Sequence, residues 1–331
     1  MLELTTDTPD PKIIGKGIDL FKPLLKKVRH FDNNIVLLSA VAGNSSSENN
    51  WDTIDIQGWE NKHLINNTYK CCVRYTSGKV RSVPATRTIW SNVVSEMTAM
   101  HFVCSNLTSR SGEIPDVATL ADRKQECHNL FDWYLPLKFA HAHKNEIAVC
   151  GKIAYGSLAA DDLLSWFELH RRLGVTKVLV FTHDLNPEAT RVLQYYRALG
   201  MADTVPLVTV FECLALLRGY RYLALVDTDE YLISNRGLTW MDMLDELFAK
   251  YPAAAGHNFL VKVHVISPNL KSNSSQFKVG QFLNSTRPLP DRMKHVTIPD
   301  RLAPGFAMYF TQAAFLPIPF RADVVSHPVN A

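Results

Sequence analysis

Asp227, Asp229 and Glu230 stand where the apolar run ends in YRYLALVDTDEYLI, residues 220–233. Two carboxylates one residue apart on a turning chain can converge on a hard cation such as Mg2+ or Mn2+. Such ions take oxygen ligands and bridge protein carboxylates to substrate phosphates. Without a cation, close like charges repel and at least one carboxyl is pushed up in pKa. The D-x-D spacing is weak taken alone, so the residues leave two readings open, a solvent-facing turn and a cation seat. Asp184, just past the run KVLVF (177–181), is a third carboxylate at a strand end. The pair His141 and His143 in FAHAHKN reads as loop with nothing nearby to complete a site, and His327 in VVSHP is a candidate third metal ligand, although a lone histidine is more often not one.

The elements that must position these acids alternate between strand and helix from residue 146 onward. EIAVCGKIAY reads as a strand, and DDLLSWFELHRRLG as a helix with Leu163, Trp166, Phe167 and Leu173 on one face and Gly174 as its stop. KVLVF is a second strand. Asn186-Pro187-Glu188 then gives an N-cap, a proline at the first helical position and a first-turn acid. That helix is expected to turn Val192, Tyr195, Tyr196 and Leu199 inward and to stop at Gly200. TVPLVTVF is a third apolar run, YRYLALV the next strand, and Thr239 with Asp242 a capping pattern before Leu244, Leu247 and Phe248. Alternation of this kind makes an α/β domain with a mainly parallel sheet and helices on both faces. Ligands of such sheets bind beyond the carboxyl ends of the strands, so Asp184, Asp227 and Asp229 are expected to crowd one rim. Residues 33–145 instead hold short strand-like runs such as NIVLLSAV, YKCCVRYT and MHFVCS, and 1–32 reads as a stem-like segment.

At 331 residues, 47% hydrophobic and 20% charged, the chain is globular and long enough for about two domains. A net charge of +3 is too mild to signal a nucleic-acid partner, and LKKVRH (25–30) reads as a solvated face. No apolar run approaches the ~18 residues of a membrane span, and MLELTTDTPDPK is too polar for a signal peptide. Glycosylation sequons at Asn44, Asn66, Asn106, Asn273 and Asn284 point the other way, towards the secretory pathway. The 6 cysteines contain no C-x-x-C pair, which disfavours a zinc site. Disulfides are expected among Cys71, Cys72, Cys104 and Cys127, whereas Cys150 and Cys213 read as small buried hydrophobes.

IAVCGKIAYGSLAADDLLSWFELHRRLGVTKVLVFTHD, VLQYYRALG and YRYLALVDTDEYLI together resemble glycosyltransferase family 92. The shared signs are the cysteine in the first strand, the W-[FI]-E-x-H-R-x-L-G-V exit and the strand ending in D-x-D-E-[FY]. NIVLLSAV and KHVTIP (294–299) resemble outer elements of the same family, so the similarity covers about residues 33–300. The resemblance implies a GT-A-like (Rossmann-like) domain over 146–331 that transfers a sugar, typically galactose from UDP-galactose, to a glycan of a glycoprotein with inversion. It implies a divalent metal, Mn2+, and a UDP-sugar co-substrate. Asp227 and Asp229 match the metal- and donor-holding D-x-D, with Asp229 the more direct metal ligand. Asp184 matches a nucleotide contact, and Lys294 a second positive contact to the donor. The base needed for inversion is not assigned; Asp291, Asp300 and Glu230 are in range. A Golgi type II location follows, with membrane contact only through an anchor outside the visible sequence. One departure stands out: VPLVTVFECLALLRG runs almost directly from Pro206 to Cys213, a shortened 207–212 segment beside the donor site. An inactive relative that binds a glycan or protein is the alternative. A D-x-D phosphohydrolase fits less well, because Glu230-Tyr231 follow a late strand where that class has a small pair after its first strand.

Overall fold

The computed structural model describes residues 29–32, 35–44, 51–61, 68–88, 97–107, 113–206, 210–234, 236–263, 286–302 and 322–326. Asn66, Asn273, Asn284 and His327 lie outside the described residues.

The first strands are β1 (Arg29–Asp32), β2 (Ile35–Asn44), β3 (Trp51–Asn61), β4 (Tyr69–Tyr75), β5 (Val80–Thr88), β6 (Met97–Cys104), β7 (Pro115–Asp122) and β8 (Leu135–Phe139). They hydrogen-bond in the order β1-β2-β3-β6-β5-β4-β7-β8, and β8 returns to β2 through Ala40↔Leu137 and Ala42↔Phe139. That last pairing is parallel and closes a barrel whose other pairings are antiparallel. Closure removes the exposed edges that a strand-rich segment would otherwise present.

Adjacent strand residues point to opposite faces, and Cys71-Cys72 on β4 use this. Cys71 points into the barrel core and bonds Cys104, while Cys72 points outward to Cys127 in a separate cluster with Leu130 and Tyr134. Each loop-closing bridge contributes about 2–4 kcal/mol.

The second sheet holds β9 (Ala142–Gly156), β10 (Val175–Leu185), β11 (Ala202–Pro206), β12 (Gly219–Val226), β13 (Tyr231–Ser234), β14 (Gly256–Val263), β15 (Leu289–Thr297) and β16 (Ala322–Ser326). Its order is β11-β10-β9-β12-β15-β14-β16-β13. The α/β class stands, but continuous parallel pairing is confined to β11-β10-β9-β12. Beyond β12 the sheet is mixed, because β15 runs antiparallel to both β12 and β14. His143 lies inside β9 rather than in a loop, with its ring 5.0 Å from Tyr220.

The helices are α1 (Ala160–Arg172), α2 (Pro187–Ala198), α3 (Val210–Leu216) and α4 (Trp240–Lys250). Alternate residues of β9, β10 and β12 enter two different cores. Val149, Val180 and Ala224 meet α1, α2 and α4, whereas Cys150, Phe181 and Leu225 meet α3 and Val41 of the barrel. A strand buried on both faces reads as one apolar run, as YLALV does. Two sequence expectations need correction here. The last two residues of TVPLVTVF, Val210 and Phe211, belong to α3, since a short apolar run does not distinguish strand from buried helix. Cys150 and Cys213 are buried as expected but form a third disulfide, which ties β9 to α3.

On α2 the buried face is Ala189, Leu193 and Tyr196, with Tyr195 and Leu199 54% and 57% exposed. Tyr196 sets that rotation, because it stacks on Phe167 of α1 at 4.2 Å and donates its hydroxyl to Glu168 at 2.8 Å. The α4 cap is as read: the Asp242 N–H donates to the Thr239 hydroxyl at 3.3 Å. Buried Glu212 of α3 pairs with Lys138 of β8, and Arg218 donates to Thr53 and Asp55 of β3, so charged contacts join the barrel to the second sheet.

Candidate functional site

The four-residue turn that follows β12 closes on itself. The Glu230 N–H donates to the Asp227 carbonyl at 3.1 Å, and the Asp227 N–H donates back to Glu230 Oε2 at 2.8 Å. This reciprocal pair holds Thr228 and Asp229 at the tip, half-buried. Glu230 is therefore partly a structural acid: its side chain satisfies backbone in the manner of a cap.

Lys294 enters from β15. The register Leu225↔His295 sets it beside the end of β12, and its ammonium lies 2.7 Å from both Asp227 Oδ2 and Glu230 Oε2. The sequence reading gave Lys294 as a contact to the donor and did not foresee that it bridges two acids. Only 13% of its side chain and 7% of that of Glu230 are exposed. Burial, then the charge of Asp227, pushes the Glu230 carboxyl up against the pull of Lys294. Burial also works against the Lys294 charge, but Glu230 and Asp227 outweigh it and hold the ammonium above its ordinary pKa. The site therefore carries a built-in cation between two of its acids.

Asp184 sits within the last two residues of β10, exposed and with φ of +47°, a left-handed conformation that aspartate tolerates better than most residues. β10 and β12 flank β9, so Asp184 and Asp227 share an end of the sheet but stand two strands apart, roughly 10 Å. They share the rim without crowding it. A further acid, which the sequence reading missed, is Asp162 in the first turn of α1. Burial first, then the charges of Asp162 and Asp229, raises the pKa of the Tyr231 phenol.

The base candidates separate by position. β15 runs against β12, so Asp300, after its far end in a short helical turn, lies at the opposite end of β12 from the acidic turn. Asp291 lies on the rim side of Lys294 along β15, its side chain outside the described residues.

The donor set suits a hard cation in chemical type. Asp227 and Asp229 offer carboxylate oxygens, and such ions commonly take one or two carboxylates with substrate phosphates and water completing the shell. Among the described residues no group of three His, Cys, Asp or Glu side chains forms a complete metal cage, so a diphosphate would have to supply part of the coordination.

Beneath the turn lies an aromatic layer that the sequence reading placed only as core. The Trp166 indole donates to the Glu230 carbonyl at 2.9 Å, and the Trp240 indole to the Leu232 carbonyl at 2.6 Å. His170 lies 4.1 Å from the Trp166 ring and 5.3 Å from the Trp240 ring. Its Nδ1 meets the Trp166 carbonyl at 2.8 Å, and Nε2 has no partner. The spacing of Trp166 and His170, one turn apart on an apolar face, was the available signal.

Burial pushes the pKa of His170 from 6.5 down to about 4. Below 6.5 the unfolded chain takes up a proton that the folded chain refuses, so stability falls as pH drops from 6.5 to about 4 and levels off below. The expected loss from this residue is on the order of 3 kcal/mol. Denaturant titrations from pH 7 to 4 should show that slope, and His170→Phe should make it shallower, leaving the share of His257, whose pKa burial also lowers to about 4; equal slopes in both proteins would contradict the assignment.

No curated protein matches the chain in sequence. Among solved structures, a UDP-glucose pyrophosphorylase complexed with UDP-glucose is 15% identical over 36% of this chain, with a TM-score of 0.24. The apo structure of the bifunctional glycosyltransferase WbbM is 12% identical over 42% of this chain, with a TM-score of 0.22. The match spans 58% of the first of those chains and 29% of the second, and likenesses at such scores carry no argument. Residues 145–302, the stretch that holds the acidic turn and Lys294, match the family model of Glycosyltransferase family 92, the family that the sequence resembles.

Proposed function

We propose that this chain is a metal-dependent glycosyltransferase of GT-A-like architecture that moves a hexose, galactose from UDP-galactose, onto a glycan of a glycoprotein with inversion. The family match over 145–302 is the observation that carries the reading. Asp229 and Asp227 would hold a divalent cation, Mn2+, which when bound supplies Lewis-acid stabilisation of the departing diphosphate. Lys294, beside Asp227, adds a fixed positive charge on the side where the leaving group gathers negative charge. Asp184 is assigned to the nucleotide, at the end of the neighbouring strand. The Lys294 pairing lowers the repulsion that two empty carboxylates would otherwise feel, so the acidic turn can stay formed before any donor arrives.

The proposed location is the lumen of the secretory pathway, in the Golgi. Three disulfides support an oxidising compartment. Among the described residues no helix is long and apolar enough to cross a membrane.

One observation favours a non-catalytic relative that binds a glycan or a protein: Lys294 already occupies an oxygen of Asp227, as a permanent substitute for a metal would. The shortened 207–212 segment points the same way. Release of UDP from a panel of UDP-sugars, with Mn2+ and desialylated, degalactosylated glycoprotein as acceptor, separates the two. Acceptor-dependent release is the expected result, and none from any donor would leave the binding module.

A further inference from the structure

β13 is the last strand of its sheet among the described residues, with one side paired to β16. An edge strand needs partners for its outward backbone groups. The carbonyls of Glu230, at the end of the turn, and of Leu232, in the strand, receive the indole N–H groups of Trp166 and Trp240. Both indoles are fully buried and come from different helices, α1 and α4. Neither ring can swing away, because His170 is wedged between them and Phe167 packs edge-on against Trp166 at 5.1 Å. Glu230 holds the start of the acidic turn twice, its N–H donating to the Asp227 carbonyl and its carboxylate accepting from the Asp227 N–H. Whatever fixes the Glu230 backbone thus fixes where Asp227 and Asp229 aim.

We propose that Trp166 and Trp240 are positioning residues of the donor site, their indole N–H groups clamping the backbone of 230–232 so that the two aspartates of the turn are pre-set for their ligand. The proposal rests on the donor reading of the acidic turn. The ordinary alternative is that each indole merely satisfies its own buried N–H, and the two differ in what happens at the turn when the N–H is removed.

Trp166→Phe keeps an aromatic ring and removes the donor. A comparable loss elsewhere is Tyr75→Phe in the barrel, where a buried hydroxyl donates to the Leu107 carbonyl at 3.2 Å. Amide hydrogen exchange across 227–232 and the Kd for UDP at saturating Mn2+ are measured for both variants. Trp166→Phe is expected to speed exchange in that turn and to weaken UDP binding, each by roughly tenfold, while Tyr75→Phe changes neither. If Trp166→Phe folds and behaves as Tyr75→Phe does at the turn, the proposal is overturned. A wild-type protein that ignores UDP with Mn2+ removes the donor reading, and the exchange comparison still decides whether the clamp exists. Should Trp166→Phe fail to fold, Trp240→Phe, which removes the donor to the Leu232 carbonyl, is put through the same two measurements, and behaviour at the turn like that of Tyr75→Phe overturns the proposal.

Discussion

Asp229→Ala should abolish Mn2+-dependent UDP binding, weakening it by at least about a hundredfold, and reduce sugar transfer by roughly a thousandfold. The protein should otherwise fold normally. Of the two acids, Asp229 is the cleaner probe. The Asp227 carboxylate accepts from Lys294, which also pairs with Glu230, so its removal would disturb that bridge as well as the ligand set. Asp229 stands at the half-buried tip, and its charge is felt at Tyr231. If it were only part of a solvated turn, its loss would change stability by no more than about 0.5 kcal/mol and binding not at all. Calorimetric titration of UDP into the variant separates the two readings, and an unchanged affinity would remove Asp229 from the site.

Lys294→Met should produce the largest stability change in the second sheet. The ammonium bridges Asp227 and the nearly buried Glu230 at 2.7 Å each, so its removal leaves two facing carboxylates without compensation. Breaking a buried pair from one side costs about 3–5 kcal/mol. Part of that cost can be relieved by a proton. Glu230 is already pushed up by burial and by Asp227, and without Lys294 only the Asp227 N–H bond still opposes that push. A carboxyl raised in the folded state contributes stability at low pH and loses it as pH rises through the folded pKa. The deficit of the variant relative to wild type should therefore shrink as pH falls towards the ordinary carboxylate range. Mn2+ should also raise the melting temperature of Lys294→Met more than that of wild type, because a divalent cation held by Asp227 and Asp229 can replace the lost positive charge beside Asp227. A variant as stable as wild type at pH 7, and indifferent to Mn2+, would mean that the bridge contributes nothing.

Much of this architecture was legible where the determinant is local. YLALV reads as a strand buried on both faces because every residue is apolar, and the acids mark its end. Thr239 and Asp242 mark the start of α4 because a cap is made within one turn. What could not be read depends on partners far along the chain. Tyr195 and Leu199 were expected inward because four apolar residues fit one stripe; the face that packs is chosen by Phe167 and Glu168 of another helix. Barrel closure needs β8 to find β2, and the Cys150–Cys213 bridge joins residues 63 apart. Lys294 reaches Asp227 across 67 residues, and only the register of β15 on β12 brings them together. The carboxylates of the candidate site were visible in the sequence, but their internal counter-charge and the indoles beneath them were not.

The central claim is that the acidic turn holds a nucleotide diphosphate through a divalent cation. Calorimetric titration of UDP into the wild-type chain, once with Mn2+ and once with EDTA, tests it most directly. The account predicts saturable binding at one site with Mn2+ and at least a tenfold loss of affinity with EDTA. No binding in either condition, or equal binding in both, would contradict it.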